Sequence, residues 1–163
     1  MPDYRQLTRL VHPFADALVH KNPSGGGVYV AHPVVTQRLL DVLGPYSFEL
    51  VRELRGDVPA IPPNPNGKSN RAKNGAPALS QAVVGVVARL RVTIDGALVV
   101  VEDAGDCEDP HNWPHDGARM KDAMSDALKR CAKHVGVGLH LWTKAPGEFY
   151  LADKLRKQDE AGS

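Results

Sequence analysis

Residues 82–103 read AVVGVVARLRVTIDGALVVVED. Val84, Val86, Ala88, Leu90, Val92 and Ile94 recur at every second position, with Arg89, Arg91 and Thr93 between the later ones. A period of two puts successive side chains on opposite faces of an extended chain, so this is a strand with one apolar and one polar face. Asp95-Gly96 follows, the dipeptide that tolerates positive φ at both central positions of a type I′ turn, and ALVVVED resumes the apolar run. The segment predicts an antiparallel hairpin that needs a partner layer for its apolar face.

That layer is predicted downstream, in GARMKDAMSDALKRCAKHVGVGLHLW, residues 117–142. At about 100° per residue, Met120, Ala123, Met124, Ala127, Leu128, Cys131 and Val135 form one stripe, and Arg119, Asp122, Asp126, Lys129, Arg130 and Lys133 take the opposite arc. Gly136 supplies the left-handed residue that commonly closes a helix. Upstream, Tyr46–Leu54 alternates as a third, half-buried strand, with Tyr46, Phe48, Leu50 and Leu54 on one side. Helices are predicted over Asp3–Val19, broken or kinked by Pro13, and over Pro33–Leu43, stopped by Gly44-Pro45. Between these helices lie a glycine turn at residues 21–27 and a short strand in VYVAHP. Residues 56–77 hold five prolines and three glycines with almost nothing to bury, so 56–80 is expected to be a long mobile loop carrying Lys68, Arg71 and Lys73. The expected organisation is one α+β domain over 1–145, a three-stranded sheet packed on a basic amphipathic helix with N-terminal helices, and a partly helical tail over 146–163 resting on Phe149, Tyr150 and Leu155.

The chain has 163 residues, 42% of them hydrophobic, enough for one buried core. Its formal net charge of +1 hides an uneven distribution. Residues 102–116 hold six acids and no Lys or Arg, a charge of −6, whereas 117–144 hold six bases and two acids, 6 − 2 = +4. No apolar run approaches the roughly 18 residues of a membrane span, the first ten residues have no signal-peptide core, and the two cysteines make no disulfide framework; a soluble, cytoplasmic protein is expected. A cationic helix face alone is most simply a solvated surface. Arg89 and Arg91 on the polar face of a neighbouring hairpin make several cationic surfaces that together suit a phosphate backbone.

Three segments, in order, resemble the Rad-fifty-two-type single-strand annealing proteins, including bacterial and phage DdrA-like members. YVAHPVVTQRLLDVLGPYSFEL is similar to the family's helix, glycine and aromatic-led strand. VVGVVARLRVTIDG is similar to its Gly-Val hairpin strand, and KDAMSDALKRCAKHVGVGL to its helix with the Asp-x-Leu-Lys-Arg core. The resemblance covers roughly residues 28–141. It implies a ring- or arc-forming homo-oligomer that binds single-stranded DNA in a basic groove and anneals complementary strands in homologous recombination and repair. It further implies no ATP, no cofactor and no enzymatic step, in the cytoplasm of a bacterial or phage-infected cell, with a single-strand-binding protein as a partner. The lack of G-x-x-x-x-G-K-[ST] agrees with the absence of ATP chemistry. By residue, Lys129 and Arg130 match the family's paired cations, Lys121 another DNA-facing lysine and Arg91 the hairpin arginine; Arg89 follows from alternation, and Lys133 and Arg119 complete the candidate DNA-binding set. The chain departs from the family at Pro33-Val34, where a basic residue is common, in its long Pro- and Asn-rich loop, and in CEDPHNWPHDG before the helix.

Rival readings remain at this level. Cys107, His111 and His115 stand at x3 spacing, with Cys131 or His134 as a fourth donor, a candidate zinc site in an interaction protein opposed by Pro110 and Pro114. Asp103 and Asp106 are a carboxylate pair for a nuclease metal, with solvation or pairing to a basic surface as the simpler reading. In an oligomer the −6 segment would orient against a neighbour's +4 segment. A helix-strand-strand-strand-helix order with a basic last helix also suits a double-stranded RNA- or DNA-binding module. Tyr29, Tyr46, Phe48 and Trp142 are expected in the core, and Trp113 as a cap or subunit contact.

Overall fold

The computed structural model describes residues 5–23, 25–145 and 147–161. The hairpin forms as the sequence requires: β4 (Leu79–Ile94) turns at Asp95, φ 48°, and Gly96, φ 82°, into β5 (Ala97–Asp106). Both central residues having positive φ is the type I′ geometry that matches strand twist. Gln6 braces the turn, its side-chain oxygen accepting from the Asp95 N–H at 2.6 Å. β3 (Ser47–Val58) completes a three-stranded antiparallel sheet of order β3-β4-β5, so β4 is central. β3 runs four residues past the predicted Leu54, and Leu50 is exposed. β1 (His20–Lys21) and β2 (Val28–Tyr29) form a separate two-stranded antiparallel pair around the glycine turn.

α1 (Arg5–Val11) ends before Pro13 and is followed by a 3-10 turn at Asp16–Leu18, so the helix expected to reach Val19 stops early. The proline ring disfavours helical geometry at His12, and proline has no N–H to continue the ladder. The predicted start at Asp3 lies outside the described residues. α2 (His32–Leu43) buries Val35, Leu39 and Val42, as its periodicity requires. Arg38 donates to the Arg9, Leu10 and His12 carbonyls, supplying the donors and positive charge that the end of α1 needs.

Residues 56–80, expected to be a long mobile loop, hold secondary structure of their own. Their ends belong to β3 and β4, and between them lies α3 (Asn70–Asn74), whose Ser69 side chain caps the Ala72 N–H at 3.0 Å. Ile61 and Ala76 exchange two backbone hydrogen bonds of 2.8 Å, and Asn64 donates to the Ala72 carbonyl. A loop with little to bury is here held by backbone pairing, which composition does not report.

α4 (Asp116–His134) ends in a Schellman motif: the Val137 N–H reaches the Ala132 carbonyl and the Gly136 N–H the Lys133 carbonyl. Gly136 has φ 97°, and a Cβ there would run into the Val11 side chain. The chain returns through a 3-10 turn, Leu139–Trp142, and closes with α5 (Leu151–Ala161), which extends the helical part of the tail to the last described residue and buries Leu155.

Contacts divide the chain into two compact units. One comprises the described residues up to Glu49, Arg89–Asp103 and the described residues from Leu128 onward; the other comprises Leu50–Ala88 and Ala104–Ala127. The first is cored by Leu90 and Val92 of β4, Leu128, Cys131 and Val135 of α4, and Leu10, Leu39 and Val137. Each fully buried Leu or Val of this kind stabilises the fold by roughly 1.5–3 kcal/mol. The second buries Val83, Val86, Ala88, Ala123 and Ala127. There Gly105 of β5 meets the backbone of α4 at Ala123 and Ala127, an approach that any Cβ would block. Among the described residues no helix is long and apolar enough to cross a membrane.

Candidate nucleic-acid interface

The second half of α4 carries three partly exposed cations of the first unit, Lys129, Arg130 and Lys133. Leu128, Cys131, Ala132 and Val135 are buried, which turns Lys129, Arg130 and Lys133 to the opposite side of the helix. Lys129 has no carboxylate partner among the described residues. Lys133 and Arg130 lie over the indole of Trp142, with Nζ 4.1 Å and Cζ 5.6 Å from the ring centroid. The sequence placed Trp142 in the core; it is 47% exposed. The signal was present, two cations three residues apart followed by a Gly-x-Gly return and a Trp, but a period argument cannot show which way a residue beyond a helix end turns.

Arg89 and Arg91 occupy the polar side of β4, as alternation required, but both are engaged. Arg89 bonds Glu102 through Nε at 2.7 Å and pairs with Glu49 at 3.3 Å, and Arg91 meets the same Glu49 oxygen at 2.7 Å. Two arginines and two glutamates leave this cluster formally neutral. Glu102 holds the Arg89 guanidinium above its ordinary range, so its charge is fixed but already answered.

In the second unit, Lys121 is exposed and has no carboxylate partner among the described residues. Arg119, predicted to face DNA, is instead buried at 7% exposure. It donates to the Pro110 carbonyl at 2.9 Å, the Trp113 carbonyl at 3.0 Å and Asp116 at 3.0 Å, pinning the 110–113 turn to the start of α4. Helical position alone put it on the polar arc; the turn that covers it lies outside the helix. Asp116, which sequence reading passed over, is the hub of this region. It accepts from the Val83 N–H at 3.0 Å and pairs with Arg55 at 2.9 Å. The Val83 N–H first, and Arg55 next, hold its carboxyl below the usual range.

The acidic segment is largely spent within the chain. Glu102, Asp109 and Asp116 pair with Arg89, Arg71 and Arg55, and Asp103 meets His134 at 2.8 Å. These intrachain pairs use part of the charge that the −6 segment was expected to turn to a neighbouring subunit.

The zinc reading gains no support, since among the described residues no three His, Cys, Asp or Glu are grouped to hold an ion. His111 faces the Pro59 carbonyl at 2.9 Å and His115 accepts from the Ala118 N–H at 3.2 Å. Cys107 and Cys131 are buried, and desolvation, with Asp122 and Asp103 respectively as the next contributors, pushes both thiols up to about 11. Of the other aromatics, Tyr46 and Phe48 pack against the core as expected, whereas Tyr29 is 41% exposed and lies tilted against His20, ring centroids 5.5 Å apart. No protein-family model matches the chain, and no curated protein matches it significantly.

Proposed function

We propose that the protein binds single-stranded DNA by its phosphates through the outer face of α4 and anneals complementary strands without ATP, as a homo-oligomer. The observation that carries this reading is the arc of Lys129, Arg130 and Lys133 on a helix whose opposite side is buried. Phosphate binding needs cations held in a row on a rigid support, and counterion release then supplies affinity without reading sequence. The neutral Arg89-Arg91-Glu49-Glu102 cluster enters as a polar sheet surface, not as part of that row, and Arg119 leaves the binding set. Annealing, oligomerisation and the absence of a catalytic step rest on the family resemblance of the three segments.

The test is fluorescence anisotropy with labelled single-stranded DNA, duplex DNA and duplex RNA over a salt series, with mass followed by light scattering. The wild-type chain is expected to prefer single strands, and K129A/R130A to weaken binding to all sequences. Loss of two phosphate contacts flattens the log affinity against log salt plot by about 1.4. Unchanged affinity in a folded double mutant overturns the reading. Preference for duplex RNA favours the double-stranded module.

A further inference from the structure

We propose that Trp142 is a stacking platform for a nucleobase, with the adjoining phosphates held by Lys133 and Arg130. The inference rests on the single-strand reading above and adds a base contact to an interface so far built from phosphates. An indole that is 47% exposed, directly after Leu141, which packs against the core, is not itself filling the core. It is nonetheless fixed from both sides. Before it, the Leu141 N–H bonds the Gly138 carbonyl at 3.0 Å, and His140 lies between Phe14 and Phe149 with ring centroids 5.8 Å away in each case. After it, the Thr143 hydroxyl donates to the His140 carbonyl at 2.8 Å. The backbone is anchored while the ring stands in solvent.

Two cations beside that ring give the place its chemistry. Lys133 and Arg130 are one helical turn apart, and both approach the same indole. In a nucleotide a flat base and an anionic phosphate are separated by one sugar, so an aromatic face adjoining two cations offers both complements over a short span. Base stacking on an aromatic side chain tolerates any base, since every base has a π-face, and therefore leaves binding independent of sequence. Cation–π attraction also keeps the Lys133 ammonium beside the ring before DNA arrives, reducing the ordering that binding requires.

Trp113 and Trp142 are the two tryptophans of the chain, so W113F leaves Trp142 as the sole indole reporter. The probes are oligo(dT) and an abasic oligonucleotide of equal length, which keeps the phosphates and removes the bases. In W113F, oligo(dT) is expected to quench Trp142 emission, and the abasic strand to bind about tenfold more weakly without quenching. W142A should bind both strands alike with the wild-type salt slope, because the phosphate contacts remain. W142F, which retains a ring and guards against a folding defect in W142A, should restore the preference for dT. Equal affinity and no quenching with both strands in W113F overturn the platform and leave the phosphate reading standing. Failure of W113F and wild type alike to bind either strand overturns both.

Discussion

Removing the Arg119 side chain would leave the Pro110 and Trp113 carbonyls and the Asp116 carboxylate short of a donor. A buried guanidinium with three such partners is expected to cost about 3 kcal/mol on replacement by alanine. R119A should therefore lower the thermal midpoint, read by calorimetry, while the salt slope of DNA binding stays at its wild-type value. K129A/R130A should do the reverse, with the slope changed and the midpoint nearly kept. The sequence put Arg119 and Arg130 on one polar arc, and their angular positions alone do not separate them. What separates them is the 110–113 turn, whose carbonyls curl over one end of the helix and not the other. The same limit explains Trp142: residues on α4 are legible from its period, whereas the direction taken beyond Gly136 depends on packing against Val11 and Phe14.

At the level of elements, the sheet and α4 were legible because their signals are local: a period of two, an Asp-Gly turn, then a period near 3.6 closed by glycine. The structure within 56–80 was not, since its contacts are backbone pairs between residues fifteen apart, Ile61 and Ala76, and the Ser69 cap. Nor was the role of Gly105, near the end of β5, which forms no turn. Gly105 lies against the Ala123 carbonyl and the Ala127 N–H, and these are backbone atoms that cannot step aside. G105A should force strand and helix apart and destabilise the protein by at least about 3 kcal/mol, measured by urea denaturation. A loss below about 1 kcal/mol would mean that the two backbones have room to separate.

For the molecule as a whole, stability should respond to acid through His140. Its Nε2 accepts from the Phe14 N–H at 3.4 Å, so the neutral ring carries its proton on Nδ1, which is buried without a hydrogen-bond partner. Burial first, then the Arg38 charge and the influence of His12, lower its pKa below the ordinary 6.5. The sign follows: as pH falls through the ordinary value the unfolded chain takes up a proton that the folded chain still refuses, so stability declines until the folded ring also titrates. The thermal midpoint should drop between about pH 7.5 and 5.5, and H140F should flatten that fall. An unaltered fall in H140F assigns the acid sensitivity to other groups. The two buried cysteines act in the opposite sense, by their inertness. With thiols raised to about 11, neither offers appreciable thiolate near neutral pH. Maleimides and mild oxidants will therefore pass both by, and Ala97→Cys, at the exposed start of β5, would be the reactive thiol. A single dye could then be attached without first stripping the chain of its native sulfur, which opens the DNA binding proposed above to observation one molecule at a time.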